Sequence, residues 1–189
     1  WSSDVCSSDL GAATQPSSPW SGIFTALWTP TDAWGRLMES ALQRHLEFLR
    51  STALRGVMVL GSTGESVLLS QPARRQVMEL VARYSGGLRK IAHVGEVNPN
   101  QAVELAQAAR TLGFDAVSIL PPWFFHLDEE DLLAHFVHVA KAAQLPVVLY
   151  NFPERTGHRL DPSLISRFAD AAPLVAIKQS GGEFGYHKE

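Results

Sequence analysis

The stretch Pro146-Val147-Val148-Leu149-Tyr150, Asn151-Phe152-Pro153-Glu154-Arg155-Thr156-Gly157 and, further on, Leu174-Val175-Ala176-Ile177-Lys178 decides the fold. Two short apolar runs, rich in β-branched residues, flank a segment from Pro162 to Ala171 whose apolar residues recur at helical spacing. That order predicts a βαβ unit. Strands this apolar along their whole length are covered on both faces, which implies a parallel sheet flanked by helices. Each run ends in a reactive polar side chain, Tyr150 in one and Lys178 in the other.

The same alternation extends outward. Strands are expected at Gly22 to Leu27, Gly56 to Leu60, Lys90 to Val94, Ala116 to Leu120, Pro146 to Tyr150 and Leu174 to Lys178. Helices are expected at Met38 to Arg50, Gln71 to Tyr84, Asn100 to Leu112, Glu129 to Ala143 and Pro162 to Ala171, each preceded by a cap or by a proline near its first turn. A parallel α/β pattern leaves a barrel or an open doubly wound sheet. The first strand runs into Trp28-Thr29-Pro30-Thr31-Asp32, with no glycine cradle for a dinucleotide, and no phosphate-binding lysine follows Gly64. In a barrel, reacting residues lie just past the C-terminal ends of several strands. They do so here at three: Gly61-Ser62-Thr63-Gly64-Glu65-Ser66, Tyr150 and Lys178. The expected fold is therefore a (β/α)8 TIM barrel. Six strands supply about six of its eight βα units, so the chain reads as a fragment whose first and sixth strands are open edges.

Composition bounds the rest. The 189 residues, 46% of them hydrophobic, suffice for one core, and a net charge of −3 excludes the basic field that recruits nucleic acid or an anionic membrane surface. No apolar run approaches the ~20 residues of a membrane-spanning helix. The lone Cys6 makes no internal disulfide and fits a reducing, cytoplasmic setting. Residues 1–19 lack periodicity and the layout of a signal peptide; they read as a disordered, non-native tail ahead of a partial barrel domain at 20–189.

Lys178 is the residue that asks for a chemical reason. Burying an ammonium costs several kcal/mol unless it is paired or loses its proton. A desolvated, neutral amine is a nucleophile that converts a ketone into a carbinolamine and then an iminium, an electron sink for the adjacent carbon. Neighbouring strand ends lie about 5 Å apart, so the Tyr150 phenol can exchange a proton with that amine. In the Gly61-to-Ser66 turn, two glycines permit tight backbone while hydroxyls and N–H groups converge on an anion such as a carboxylate.

With these positions identified, the chain from Gly22 onward resembles the dihydrodipicolinate synthase / N-acetylneuraminate lyase family of class I aldolases. GSTGES after the second strand, YNFPERTG after the fifth and AIKQS at the end of the sixth stand in that family's order and spacing. The resemblance implies that Lys178 forms an imine with pyruvate or another 2-keto acid, with no other cofactor and no metal. It implies that Tyr150 shuttles protons and that Gly61, Ser62 and Thr63 hold the pyruvate carboxylate. Arg155 corresponds to the arginine that contacts the aldehyde's carboxylate in the synthase branch, which points to a 4-hydroxy-tetrahydrodipicolinate synthase-like reaction. Phe124 stands where synthases carry a relay tyrosine that reaches the neighbouring subunit, so either Tyr150 works with the hydroxyls of Ser62 or Thr63 or the chain belongs to a branch using other aldehydes, as a 2-keto-3-deoxy sugar acid aldolase does; Ser-Thr in place of the synthases' Thr-Thr points to an N-acetylneuraminate lyase. The implied partners are a 2-keto acid, an aldehyde and further copies of the chain, as a dimer of dimers. A non-catalytic fragment or pseudo-enzyme is the contrasting expectation.

Other residues carry plainer readings. His135 and His138 lack a metal-site pattern. Trp123, Phe124 and Phe125 suggest an apolar wall or a subunit contact, and Arg74 with Arg75 suggests a solvated helix face.

Overall fold

The computed structural model describes residues 18–182. The expected tail, apart from Ser18 and Pro19, and the last seven residues of the expected barrel domain lie outside the described residues. Six strands, β1 (Phe24–Ala26), β2 (Gly56–Val59), β3 (Arg89–His93), β4 (Ala116–Ile119), β5 (Val147–Asn151) and β6 (Leu174–Gln179), form one parallel sheet in chain order. That order never reverses, so the sheet lacks the switch point of a doubly wound fold. It curls into a half-barrel, with β1 and β6 as its edges.

The helices are α1 (Glu39–Arg50), α2 (Gln71–Tyr84), α3 (Pro99–Thr111), α4 (Glu129–Ala143), α5 (Pro153–Thr156) and α6 (Pro162–Ala171). Their starts follow from local chemistry. Ser70 accepts from the Ala73 N–H ahead of α2, Asn98 from the Asn100 N–H ahead of α3, and Asp128 from the Asp131 N–H ahead of α4. Three acidic residues in the first turn of α4 and Lys141 in its last also suit the helix dipole. The expected helices agree to within a residue, except that α5, a single turn inside the Pro153-to-Thr156 stretch, was not expected.

Alternation along the strands divides the apolar residues into two layers. Val57, Val59, Ala92, Val117, Ile119, Val147 and Leu149 point outward and join helix residues such as Leu46, Val77 and Phe136 in the main core, all of them essentially without exposure. Each of these valine, leucine, isoleucine and phenylalanine side chains contributes about 1.5–3 kcal/mol on burial. Met58, Ile91, Ala116, Val148 and Tyr150 point inward and form a smaller cluster on the concave face.

One irregularity decides what faces what. Val147 pairs with Leu174, but Val148 pairs with Ala176, so a bulge absorbs Val175 and the register then sets Tyr150 opposite Lys178. Without the extra residue Tyr150 would stand opposite Ile177 and Lys178 would point to the helix side, since a slip of one residue flips a strand's faces.

Candidate active site

The inward residues turn polar toward the C-terminal ends of the strands, and there a continuous chain of hydrogen bonds forms. Ser62, opening the 3-10 turn Ser62–Gly64 after β2, places its Oγ 3.0 Å from the Tyr150 hydroxyl. The Tyr150 hydroxyl donates to Ser180 Oγ at 3.1 Å, and the Lys178 ammonium donates to the same oxygen at 2.8 Å. Lys178 Nζ also lies 3.3 Å from the centre of the Tyr150 ring, on its electron-rich face. Tyr150 is buried and Lys178 half-buried.

This environment shifts both groups. Desolvation lowers the Lys178 pKa below the usual lysine value, only partly opposed by the hydrogen bond and charge of Tyr150. For Tyr150, burial pushes upward, but hydrogen bonding with Lys178, Ser180 and Ser62, together with the charge of Lys178, outweighs it and leaves the phenol below its ordinary value. His93, edge-on to the Tyr150 ring, is buried; desolvation, with the charges of Lys178 and Arg74, lowers it to about 3, so it is a neutral imidazole. Its Nδ1 and the neighbouring Ser118 Oγ, both buried, have no hydrogen-bond partner.

The hydroxyls open onto a cavity of about 430 Å³ walled by Ser62, His93, Trp123, Tyr150, Phe152 and Arg155. Arg155, carried by α5, thus reaches the same space as the Ser62 and Tyr150 hydroxyls, whereas Lys178 lines a second cavity of about 320 Å³ on the concave face with Trp20, Met58 and Val148. The two hydroxyls of the glycine turn separate: Ser62 meets Tyr150, whereas Thr63 is exposed and is not among the residues walling the cavity. The tight backbone also differs from expectation. Gly61 has an ordinary φ of −74°, and the left-handed residue is Glu65, at φ 51°. Gly64 is the glycine that space demands, because a Cβ there would lie 3.0 Å from the Leu27 carbonyl.

One expectation needs correction. Arg74 is not on a solvated face: it is 7% exposed, its Nε donates to the carbonyls of Ser66 and Leu69, and its guanidinium pairs with the buried Glu96. Arg75 is exposed, beside Glu79. The aromatic run also divides, with Trp123 on the cavity while Phe124 and Phe125 point outward, packed edge to face. Phe124 is 87% exposed at φ 85°, a backbone region bulky residues seldom adopt. Ser180, central to the hydrogen-bond chain, was not singled out from sequence; its place two residues after a strand-end lysine was the available signal. Burial lowers the His135 pKa to about 4, and among the described residues no group of three potential metal ligands comes together. No helix among them is long and apolar enough to cross a membrane.

Six parallel strands in unbroken order, with a lysine and a tyrosine side by side at two strand ends on the concave face, define a β/α-barrel protein with a strand-end amine site. The chain belongs to the dihydrodipicolinate synthetase family, whose model matches residues 19–189. It is 37% identical over 161 residues to a 4-hydroxy-tetrahydrodipicolinate synthase of Methanothrix thermoacetophila, covering 85% of this chain and 54% of that protein. It is 35% identical over 164 residues to an N-acetylneuraminate lyase of Citrobacter koseri, covering 86% and 55%. Among solved structures, the E. coli prophage protein YagE, of the dihydrodipicolinic acid synthase family and in complex with pyruvate, superposes with a TM-score of 0.86 at 27% identity, covering 89% of this chain and 57% of that one. The chain thus spans little more than half the length of these relatives.

Proposed function

We propose that this chain carries the imine-forming machinery of a class I aldolase, in which Lys178 condenses with pyruvate or a related 2-keto acid. The observation that carries the reading is the run Ser62–Tyr150–Ser180–Lys178, which joins a desolvated amine to a phenol through one serine hydroxyl. The neutral amine adds to the ketone carbon to give a carbinolamine. The proton released from nitrogen passes through Ser180 and Tyr150 to the carbinolamine oxygen, and the Tyr150 phenol then gives its own proton so that the hydroxyl leaves as water, leaving an iminium beside a phenolate. The resulting iminium acidifies the adjacent carbon, the Tyr150 phenolate takes its proton to restore the phenol, and the enamine so formed adds to an aldehyde; cleavage is the reverse. Ser62 and the turn around Gly61 and Thr63 take the keto-acid carboxylate, and Arg155 faces the second substrate. Family membership and a pyruvate complex in a relative support the choice of keto acid.

Arg155 on the cavity wall favours an aldehyde that bears a carboxylate, as in a 4-hydroxy-tetrahydrodipicolinate synthase-like condensation. A sugar-acid or N-acetylneuraminate lyase-like reaction is the second reading, favoured by Phe124, which has no hydroxyl to relay a proton. The exposed Phe124–Phe125 pair supports assembly with further copies of the chain. Borohydride reduction in the presence of pyruvate, followed by peptide mass mapping, tests the reading: a Lys178 peptide gains the reduced adduct. A folded, intact protein that traps no 2-keto acid at Lys178 would sink it, leaving the pseudo-enzyme alternative.

A further inference from the structure

The loop after β2 brings Ser62 to Tyr150, and although Gly61, Gly64 and Ser66 are buried, its tip is open. Val67 and Leu68 are exposed, and its backbone hydrogen bonds are those of two short 3-10 turns, Ser62–Gly64 and Ser66–Leu68. A substrate-binding loop needs fixed geometry, and here one side chain adds a polar tether to the packing of Gly64 and Leu69. Arg74, in the first turn of α2, reaches back so that its Nε donates to the Ser66 carbonyl at 2.9 Å and the Leu69 carbonyl at 3.2 Å. Its Nη1 pairs with Glu96, in the segment between β3 and α3, and both residues are 7% exposed. One guanidinium therefore ties together the loops that follow two adjacent strands. Buried ion pairs are often replaceable by apolar residues without loss of stability. A pair that also grips two carbonyls of a binding loop has a geometric task.

We propose that Arg74, oriented by Glu96, is a positioning residue that holds the Ser62 hydroxyl against Tyr150 and so sets both 2-keto acid binding and the proton affinity of the phenol. The inference rests on the imine-forming role proposed for Lys178. Ser66 and Ser62 belong to consecutive turns joined through the left-handed Glu65, so slack at Ser66 moves Ser62.

The test combines Arg74→Met with Glu96→Met, which leaves no unpaired buried charge, and uses Arg74→Lys as a second variant that keeps the charge opposite Glu96 but loses the planar fork. Arg75→Met is the control. Three quantities are measured: the thermal midpoint, the pyruvate concentration for half-maximal borohydride trapping, and the ultraviolet titration of Tyr150 taken against Tyr150→Phe. The expected double variant keeps its midpoint, needs about ten- to hundredfold more pyruvate, and titrates Tyr150 at higher pH, because the Ser62 bond that helps hold the phenol down is lost. Of the other groups facing Tyr150, Lys178 and Ser180 are unaltered, and His93 loses the charge of Arg74 but keeps its desolvation, the largest cause of its neutrality. Arg74→Lys shifts both readouts in the same direction by less, and decides the matter if the double variant does not fold. Unchanged half-saturation and an unchanged phenol titration in folded variants overturn the proposal. If the wild-type protein traps no keto acid, the imine reading fails by itself and the Tyr150 titration still decides the role of Arg74.

Discussion

The two faces of the same sheet differ as if they belonged to different proteins. On the helix-covered face, Val57, Val59, Val117, Ile119, Val147 and Leu149 are apolar from one strand end to the other. On the concave face the apolar residues Met58, Ile91, Ala116 and Val148 give way, toward the C-terminal ends, to His93, Ser118, Tyr150 and Lys178. A period of two lets one strand serve both purposes, since neighbouring residues never share a face. Stability is concentrated on one side and reactivity on the other, so substitutions on the two sides should fail in different assays.

The largest separation comes from Lys178→Ala, which is expected to abolish keto-acid trapping completely while leaving the thermal midpoint close to wild type, as read by borohydride trapping beside calorimetry. Tyr150→Phe should slow trapping by about 10²- to 10⁴-fold, the usual range for a positioned acid–base group. It also moves the pH dependence. Trapping requires the neutral amine, so its rate rises with pH through the Lys178 pKa; Tyr150 holds that pKa up against desolvation, and the rise should shift to lower pH in the variant. On the opposite face, Leu149→Ala should cost about 2–5 kcal/mol of stability in denaturant unfolding, with trapping per folded molecule unchanged. Ser180→Ala is the finest probe: loss of its two hydrogen bonds, from the Tyr150 hydroxyl and from Lys178, each of about 1 kcal/mol, predicts trapping slowed by about tenfold with no change in midpoint. Equal losses of stability in Lys178→Ala and Leu149→Ala would erase the contrast between the faces.

Much of this arrangement was legible in the chain because the signals were local. Apolar runs bounded by Gly, Pro and capping residues mark strands and helices with little help from the rest of the molecule. An ammonium at the end of such a run is costly enough to stand out, which is why Lys178 and Tyr150 were found from residue type and position. What stayed hidden depends on contacts distant in sequence. Arg74 beside Arg75 looks like any charged helix face until the carbonyls of Ser66 and Leu69 and the carboxylate of Glu96 fold around it. The bulge at Val175 leaves no compositional trace, since valine suits a regular strand as well as a bulge. Ser62 and Thr63 are alike as hydroxyl donors, and only the direction of the 3-10 turn sends one to Tyr150 and the other to solvent.

The hydrogen-bonded run from Ser62 to Lys178 has a further consequence, in electrical balance. A neutral amine beside a neutral phenol and an ammonium beside a phenolate differ by one proton's location and have the same total charge. Exchange through Ser180 thus redistributes charge within a few ångströms without altering the sum that a distant ion feels. An approaching carboxylate is drawn to the cavity equally in either protonation arrangement, so substrate capture and proton traffic can proceed without interfering with each other.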